Sequence, residues 1–316
     1  MSIFRRRSAA PAPLTWSVVV AAPKGPDGAQ WGDTWFAADL VDALERAGQR
    51  AKVVYRGGGT SEAREHDDVV VVLRGLRRFV PRRGDATWML WVISHPELVE
   101  SDEPAQYDAV FAASAHWSRG QSGEFGVPVT PLLQATNPRR FSPDAAAPDS
   151  GAPVLFVGST RGEFRPIVRD ALDASIDVSV YGVGWEQFLA PEQVRGEFLA
   201  NDQLPAAYAG AGVVLNDHWP DMAQEGFLSN RLFDAVATGA RVVSDPATGL
   251  EEVFAGTVRT YASPEELAAL LRAPREDAFA STEDRAALAA RIAHEHSFDA
   301  RAAVLIERAT QLRSAR

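Results

Sequence analysis

Apolar residues in this chain come as short unbroken runs separated by amphipathic stretches and by turns containing Gly, Pro or Asp. Runs of four to seven apolar residues bounded by turn signals predict strands buried on both faces. The first half has them at 16–22, 51–55, 69–73, 87–93, 109–113 and 129–133. Between the first two, Asp33 or Thr34 predicts the cap of a helix reaching Ala47. Trp35, Ala38, Leu40, Val41 and Leu44 supply its core face, and Gly48 stops it. Strand, helix and strand at this spacing form the βαβ unit of a parallel sheet.

The second half repeats the theme. Residues 142–153 are rich in Pro, Ala, Asp, Gly and Ser and lack periodicity, which predicts a domain boundary. Apolar runs then recur at 154–157, 177–181, 213–216, 241–244 and 258–261. Helices are expected from near Glu163, at 204–208, from Ser229 or Asn230 to about Thr238, at 249–253, after Ser263-Pro264, and over 281–313 with a break near Ser297. The expected division is a tail over 1–13, a first domain over 14–145, a linker over 146–153, a second domain over 154–285, and closing helices over 286–316. The fold class is α/β, with two doubly wound, Rossmann-like domains. Such sheets bind ligands beyond the C-terminal ends of their strands.

Composition narrows the function. A chain of 316 residues is long enough for two ordinary domains. Its net charge of −10 argues against general nucleic-acid binding. It has no cysteine, which excludes disulfides and thiolate chemistry and fits a cytoplasmic location. No apolar run is long enough to span a membrane. Arg5, Arg6 and Arg7 open an Ala/Pro-rich tail expected to be disordered, with weak contact to an anionic membrane surface as the sharper reading. Gly57, Gly58 and Gly59 read as a turn.

The most chemically loaded stretch is 225–246. Gly239 stops its helix, and Leu232, Ala235 and Val236 share the apolar face. Asn230, Arg231 and Asp234 share another face. A helix start with free N–H groups and an Arg suits a phosphate. A cap plus an exposed Arg231–Asp234 pair explains the same spacing. Gly158, Ser159, Arg161 and Arg165 follow a predicted strand, where small residues admit a ligand and Arg offers a fork to phosphate. Gly32 and Asp33 close a glycine-containing loop after the first strand, but the G-x-G-x-x-G dinucleotide fingerprint is missing there. His95 and His116 each follow a strand end. Of the two, His95 is the first choice for hydrogen-bonding a ligand hydroxyl. His218 reads as a solvated loop residue.

The segment SNRLFDAVATGARVVSD resembles the C-terminal signature of retaining, nucleotide-sugar-dependent glycosyltransferases of the GT-B fold. It is most similar to the spore-maturation-like branch written R-x-F-E-A-x-A-x-G. The resemblance implies two lobes facing across a cleft. It also implies transfer of a sugar from a nucleoside-diphosphate donor to a hydroxyl of a glycan, lipid or small acceptor. Retention of configuration, no metal, and no cofactor beyond the co-substrate are implied as well. Asp234 would hold the donor ribose, and Ser229, Asn230 and Arg231 its diphosphate, with Arg165 and then Arg161 assisting. Gly158 and Ser159 belong to the corresponding phosphate turn, and Gly32 and Asp33 to the cleft side of the first domain. Phe141-Ser142-Pro143 resembles the segment that ends that domain. Leu204 to Tyr208 resembles the family's L-P-x-x-Y helix, beside the base. Two positions depart from the pattern: Asp234 stands where Glu is usual, and Glu225, the candidate for the donor sugar, is nine rather than eight residues before it. A sugar-nucleotide 2-epimerase of the same fold and a non-catalytic nucleotide-binding relative are the alternatives.

Overall fold

The computed structural model describes residues 12–56, 67–82, 84–145 and 151–316. Most of the tail, the Gly57–Gly59 turn and most of the linker expected at 146–153 lie outside the described residues. The chain forms two six-stranded parallel sheets.

The first comprises β1 (Thr15–Pro23), β2 (Arg50–Arg56), β3 (Val69–Arg74), β4 (Thr87–Val92), β5 (Ala109–Ala112) and β6 (Val129–Pro131), in the order β2-β1-β3-β4-β5-β6. Its helices are α1 (Pro26–Ala29), α2 (Gly32–Arg46) and α3 (Ala115–Glu124). The second comprises β7 (Leu155–Val157), β8 (Ser179–Tyr181), β9 (Val194–Gly196), β10 (Val214–Asn216), β11 (Val242–Ser244) and β12 (Val258–Thr260), in the order β12-β11-β10-β7-β8-β9. Read from β9, this is the 3-2-1-4-5-6 order of a dinucleotide-type sheet. Its helices are α4 (Pro166–Asp173), α5 (Leu204–Gly210), α6 (Pro220–Glu225), α7 (Asn230–Ala237), α8 (Leu250–Phe254), α9 (Pro264–Arg272) and α10 (Arg275–Ala278). Two longer helices, α11 (Thr282–Glu295) and α12 (Phe298–Ser314), close the chain.

The apolar runs became strands because parallel strands covered by helices are buried on both faces. β3 and β4 are buried at every position. β9 escaped the hydrophobic reading because it is a three-residue edge strand with an exposed Arg195.

Three local expectations are corrected. α2 begins at Gly32 with Trp31 as its N-cap, so Asp33 lies inside the first turn. α4 begins at Pro166, which cannot donate to a preceding turn, so Arg165 is its N-cap rather than a helical residue. Ser229 occupies the N-cap of α7, but its side chain makes no capping bond.

Two chain crossings join the lobes, side by side. Thr136 bridges to Ser297, with the Thr136 amide on the His296 carbonyl at 2.9 Å and the Phe298 amide on the Thr136 carbonyl at 3.1 Å. Beyond its Ser297 cap, α12 packs on α2, and Phe298, Ala302, Leu305 and Ala309 join the core of the first sheet. Among the described residues no helix is long and apolar enough to cross a membrane.

Candidate functional site

Each sheet has a point where consecutive strands leave in opposite directions. A crevice opens there, beyond the strand ends. In the first sheet it lies between β1 and β3, and in the second between β7 and β10. The two crevices face one cleft of about 840 Å³. Gly32, Asp39 and Leu76 line it from the first lobe, and Gly158, Arg161 and Arg231 from the second.

After β7 the chain makes a tight turn that Gly158 and Gly182 permit. A Cβ on Gly158 would stand 2.8 Å from Arg231 Nη2 and 3.3 Å from the Phe156 ring. Gly182 has φ +147°, and a Cβ there would meet the Gly158 carbonyl oxygen at 2.2 Å. The missing side chain at Gly158 leaves room for the Arg231 guanidinium, which lies 5.1 Å from the centre of the Phe156 ring. Its Nη1 donates to Asn216 Oδ1 at 3.0 Å.

Arg161 follows in the left-handed backbone region, at φ +61°, a strained setting for a residue with a side chain. Its guanidinium sits 4.4 Å from the centre of the Trp219 ring. Desolvation, and then the charge of Arg165, pull its pKa down to about 10. Arg165 itself is buried. Its Nε donates to Asp217 Oδ2 at 2.7 Å and its Nη1 to the Ser159 carbonyl at 2.9 Å. Among the described residues, neither Arg161 nor Arg231 forms an ion pair with a carboxylate.

The first turn of a helix leaves backbone N–H groups unpaired. At α7 the Ser229 amide finds an acceptor in His218 Nε2 at 3.0 Å, while His218 Nδ1 lies 2.7 Å from Asp245 Oδ1. A ring that accepts at Nε2 carries its proton on Nδ1. The expectation of a solvated His218 is therefore overturned: its side chain is fully buried and props up the start of α7.

Asp234 lies one turn into α7, with Asn230 Nδ2 donating to Oδ2 at 2.9 Å and Thr136 Oγ1 donating to Oδ1 at 2.7 Å. Burial pushes its pKa up to about 8. The exposed Arg231–Asp234 pair, the plain reading of the spacing, does not form, because Arg231 turns to the sheet and Asp234 to the crossing.

The structure thus gathers Gly32, Gly158, Ser159, Arg161, Ser229, Asn230, Arg231 and Asp234 on one cleft. Asp33 lines a smaller cavity beside it. Arg165 stands behind the wall. His95 and Glu225 line neither cavity. His95 is at φ +54°, with Nδ1 3.0 Å from Glu97 Oε1 and its ring 6.0 Å from that of Trp219. Glu225 ends α6, and its carbonyl accepts from Ser114 Oγ at 2.5 Å. His116 is exposed on α3.

Sequence reasoning missed Asp39, Arg140 and Asn201. Arg140 spans the cleft floor, with Nη1 on Asp39 Oδ2 at 3.2 Å and Nη2 on the Asn201 carbonyl at 2.7 Å. No local pattern marks such a long-range triplet. Among the described residues no cluster of three or more His, Asp or Glu could hold a metal.

Comparison with solved structures agrees with this architecture over nearly the whole chain. AviGT4, a glycosyltransferase involved in avilamycin A biosynthesis, superposes with a TM-score of 0.62 at 18% identity, covering 96% of this chain and 99% of that one. A sucrose-phosphate synthase from Thermosynechococcus elongatus gives 0.63 at 14% identity, over 96% and 100%. HepE from Anabaena in complex with UDP-glucose gives 0.61 at 12% identity, over 93% and 99%. The fold is GT-B. Residues 161–307 match the model of a family described as glycosyl transferase-like. No curated protein sequence matches the chain significantly.

Proposed function

We propose that this GT-B protein is a glycosyltransferase that moves a sugar from a nucleoside diphosphate to an acceptor hydroxyl. One observation carries the reading: Arg161 and Arg231 both line the cleft at the turn after β7, beside the start of α7, and among the described residues neither is engaged in an ion pair. Unpaired cations beside a helix N-terminus suit an anion, and the cleft is of a size for a nucleotide. The glycosyl transferase-like match over 161–307 and the fold of HepE, solved with UDP-glucose, support it.

The diphosphate rests on Arg161, Arg231 and the first turn of α7. Arg165 acts from behind, fixing the Ser159 carbonyl and the Asp217 carboxylate. Asp234 and Tyr208 face the ribose. The base takes the apolar rim, where Val183 is 45% and Phe198 47% exposed. In the reaction the bond from the anomeric carbon to the diphosphate oxygen breaks. The acceptor oxygen bonds to that carbon, and its proton passes to the departing phosphate. Attack on the face the phosphate leaves gives retention. The arginines stabilise the leaving charge in a preorganised site. Arg231, Phe233 and Gly239 favour the spore-maturation-like branch within the fold.

A thermal-shift panel of UDP, GDP, ADP and dTDP with their hexose conjugates tests this. Binding at 100 times the dissociation constant stabilises by about 2.7 kcal/mol. A protein that none of these stabilises refutes the reading, and release of diphosphate upon addition of an acceptor pool extends it to transfer.

A further inference from the structure

A second, smaller cavity of about 180 Å³ opens beside the cleft. Gly32, Phe36, Arg161, Ser229 and Asn230 line both, so it begins where the diphosphate would end. Its polar lining includes Gln134, in the crossing segment between the lobes, and Asp33 from α2.

Gln134 is 6% exposed. Its Nε2 donates to the Ile93 carbonyl at 2.7 Å, which fixes the orientation of the amide, since a flip would set oxygen against oxygen. Its backbone carbonyl is held as well, by Arg301 Nη2 at 2.9 Å. Oε1 is left buried with no partner. Asn230 repeats the arrangement: Nδ2 is engaged by Asp234, and Oδ1 is buried and unpartnered. Two such orphaned acceptors line this one cavity. A buried acceptor without a donor costs about 1–3 kcal/mol. Such a cost at two residues lining one cavity marks a place where a ligand supplies the donors.

We propose that this cavity is the sugar subsite, in which Gln134 Oε1 and Asn230 Oδ1 each accept a hydrogen bond from a hydroxyl of the transferred sugar. The inference rests on the nucleotide-sugar reading and deepens it. The donor class is a neutral sugar with both hydroxyls free, as against one deoxygenated or acylated at those positions. Asp33 adds a third acceptor, and Trp219 and Met222 supply apolar wall. Gln134 is thus a specificity residue that the first lobe's end contributes to a donor held by the second. A site built to hydrogen-bond a hydroxyl rejects the analogue lacking it far more strongly than an apolar pocket rejects a missing methylene.

The test is calorimetric titration of three probes: the best-binding nucleoside diphosphate from the panel above, its hexose conjugate, and that conjugate's series of monodeoxy sugars. The wild type is expected to bind the hexose conjugate at least tenfold more tightly than two of the deoxy analogues. Gln134→Met should erase the penalty for one of these and Asn230→Ala for the other, with the hexose conjugate weakened about tenfold in each. Affinity of Gln134→Met for the bare diphosphate should stay within twofold of wild type. If Gln134→Met fails to fold, the deoxy series on the wild type decides. A wild type that binds the bare diphosphate but discriminates against no deoxy sugar overturns the inference and leaves the nucleotide reading standing. Gln134→Met with undiminished discrimination also overturns it. A protein that binds neither diphosphate nor conjugate overturns both.

Discussion

Arg165 and Asp217 form a buried ion pair directly behind the arginines that face the cleft, with Nε 2.7 Å from Oδ2 and both side chains largely shielded from water. Removing one member leaves the other charged and buried. Arg165→Ala is therefore expected to destabilise the protein by about 3–5 kcal/mol. The double variant Arg165→Met/Asp217→Leu should recover most of that loss. Urea denaturation of the two variants and the wild type checks both statements, and equal destabilisation of single and double variants would refute the pairing.

Arg161 should behave in the opposite way. It makes no ion pair among the described residues, and desolvation and the charges of Arg165 and Arg231 outweigh the pull of Asp217 and Asp245 on it. Arg161→Gln is expected to leave the melting temperature unchanged or slightly higher, while nucleoside-diphosphate affinity falls about tenfold or more, as for a lost charged hydrogen bond. Melting curves with and without nucleotide measure the two effects together.

Gly158 and Gly182 separate binding from folding. At Gly158 the nearest obstacle is the end of a flexible side chain, Arg231 Nη2. Gly158→Ala should displace that guanidinium and weaken nucleotide binding about tenfold with little change in stability. At Gly182 the obstacle is backbone and φ is positive. Gly182→Ala should cost upwards of about 2 kcal/mol of stability, a backbone-strain effect.

Asp234 predicts a pH dependence with a definite sign. Its folded pKa of about 8 lies above the unfolded carboxylate value of about 3.9. The folded state therefore binds a proton that the unfolded state has released, and stability falls as pH rises from about 4 to about 8, then levels off. Asp234→Asn removes this slope. The variant should gain on wild type by about 2 kcal/mol between pH 5 and pH 8, after discounting for solvent screening at a half-buried group. A difference in melting temperature that is flat over that range would show that Asp234 is ionised throughout.

The fold was largely legible because burial on both faces writes parallel strands as unbroken apolar runs. All six strands of the first sheet, Gly239 past the end of α7, and the break at Ser297 could be read that way. The edge strand β9 could not, having too few apolar residues. At the site, the sequence pointed to residues next in line after strands or at a helix start, such as Gly158, Arg161 and Arg231. It put Arg165 ahead of Arg161, whereas Arg161 lines the cleft and Arg165 meets Asp217, because only packing decides which of two nearby arginines does so. For the same reason His218 read as solvated and Gln134 went unmarked. Their partners, Asp245 and the Ile93 carbonyl, are remote in sequence.

The path of α12 governs the order in which this molecule is assembled. Its residues Phe298, Ala302, Leu305 and Ala309 fill the core beneath the first sheet. Domains generally fold as units as they leave the ribosome, beginning at the N-terminus. Here the earlier-made half emerges with an apolar gap that only residues from the far end of the chain can plug. The first lobe therefore has its full core only once α12 has been made, and it is expected to reach its final stability after the second.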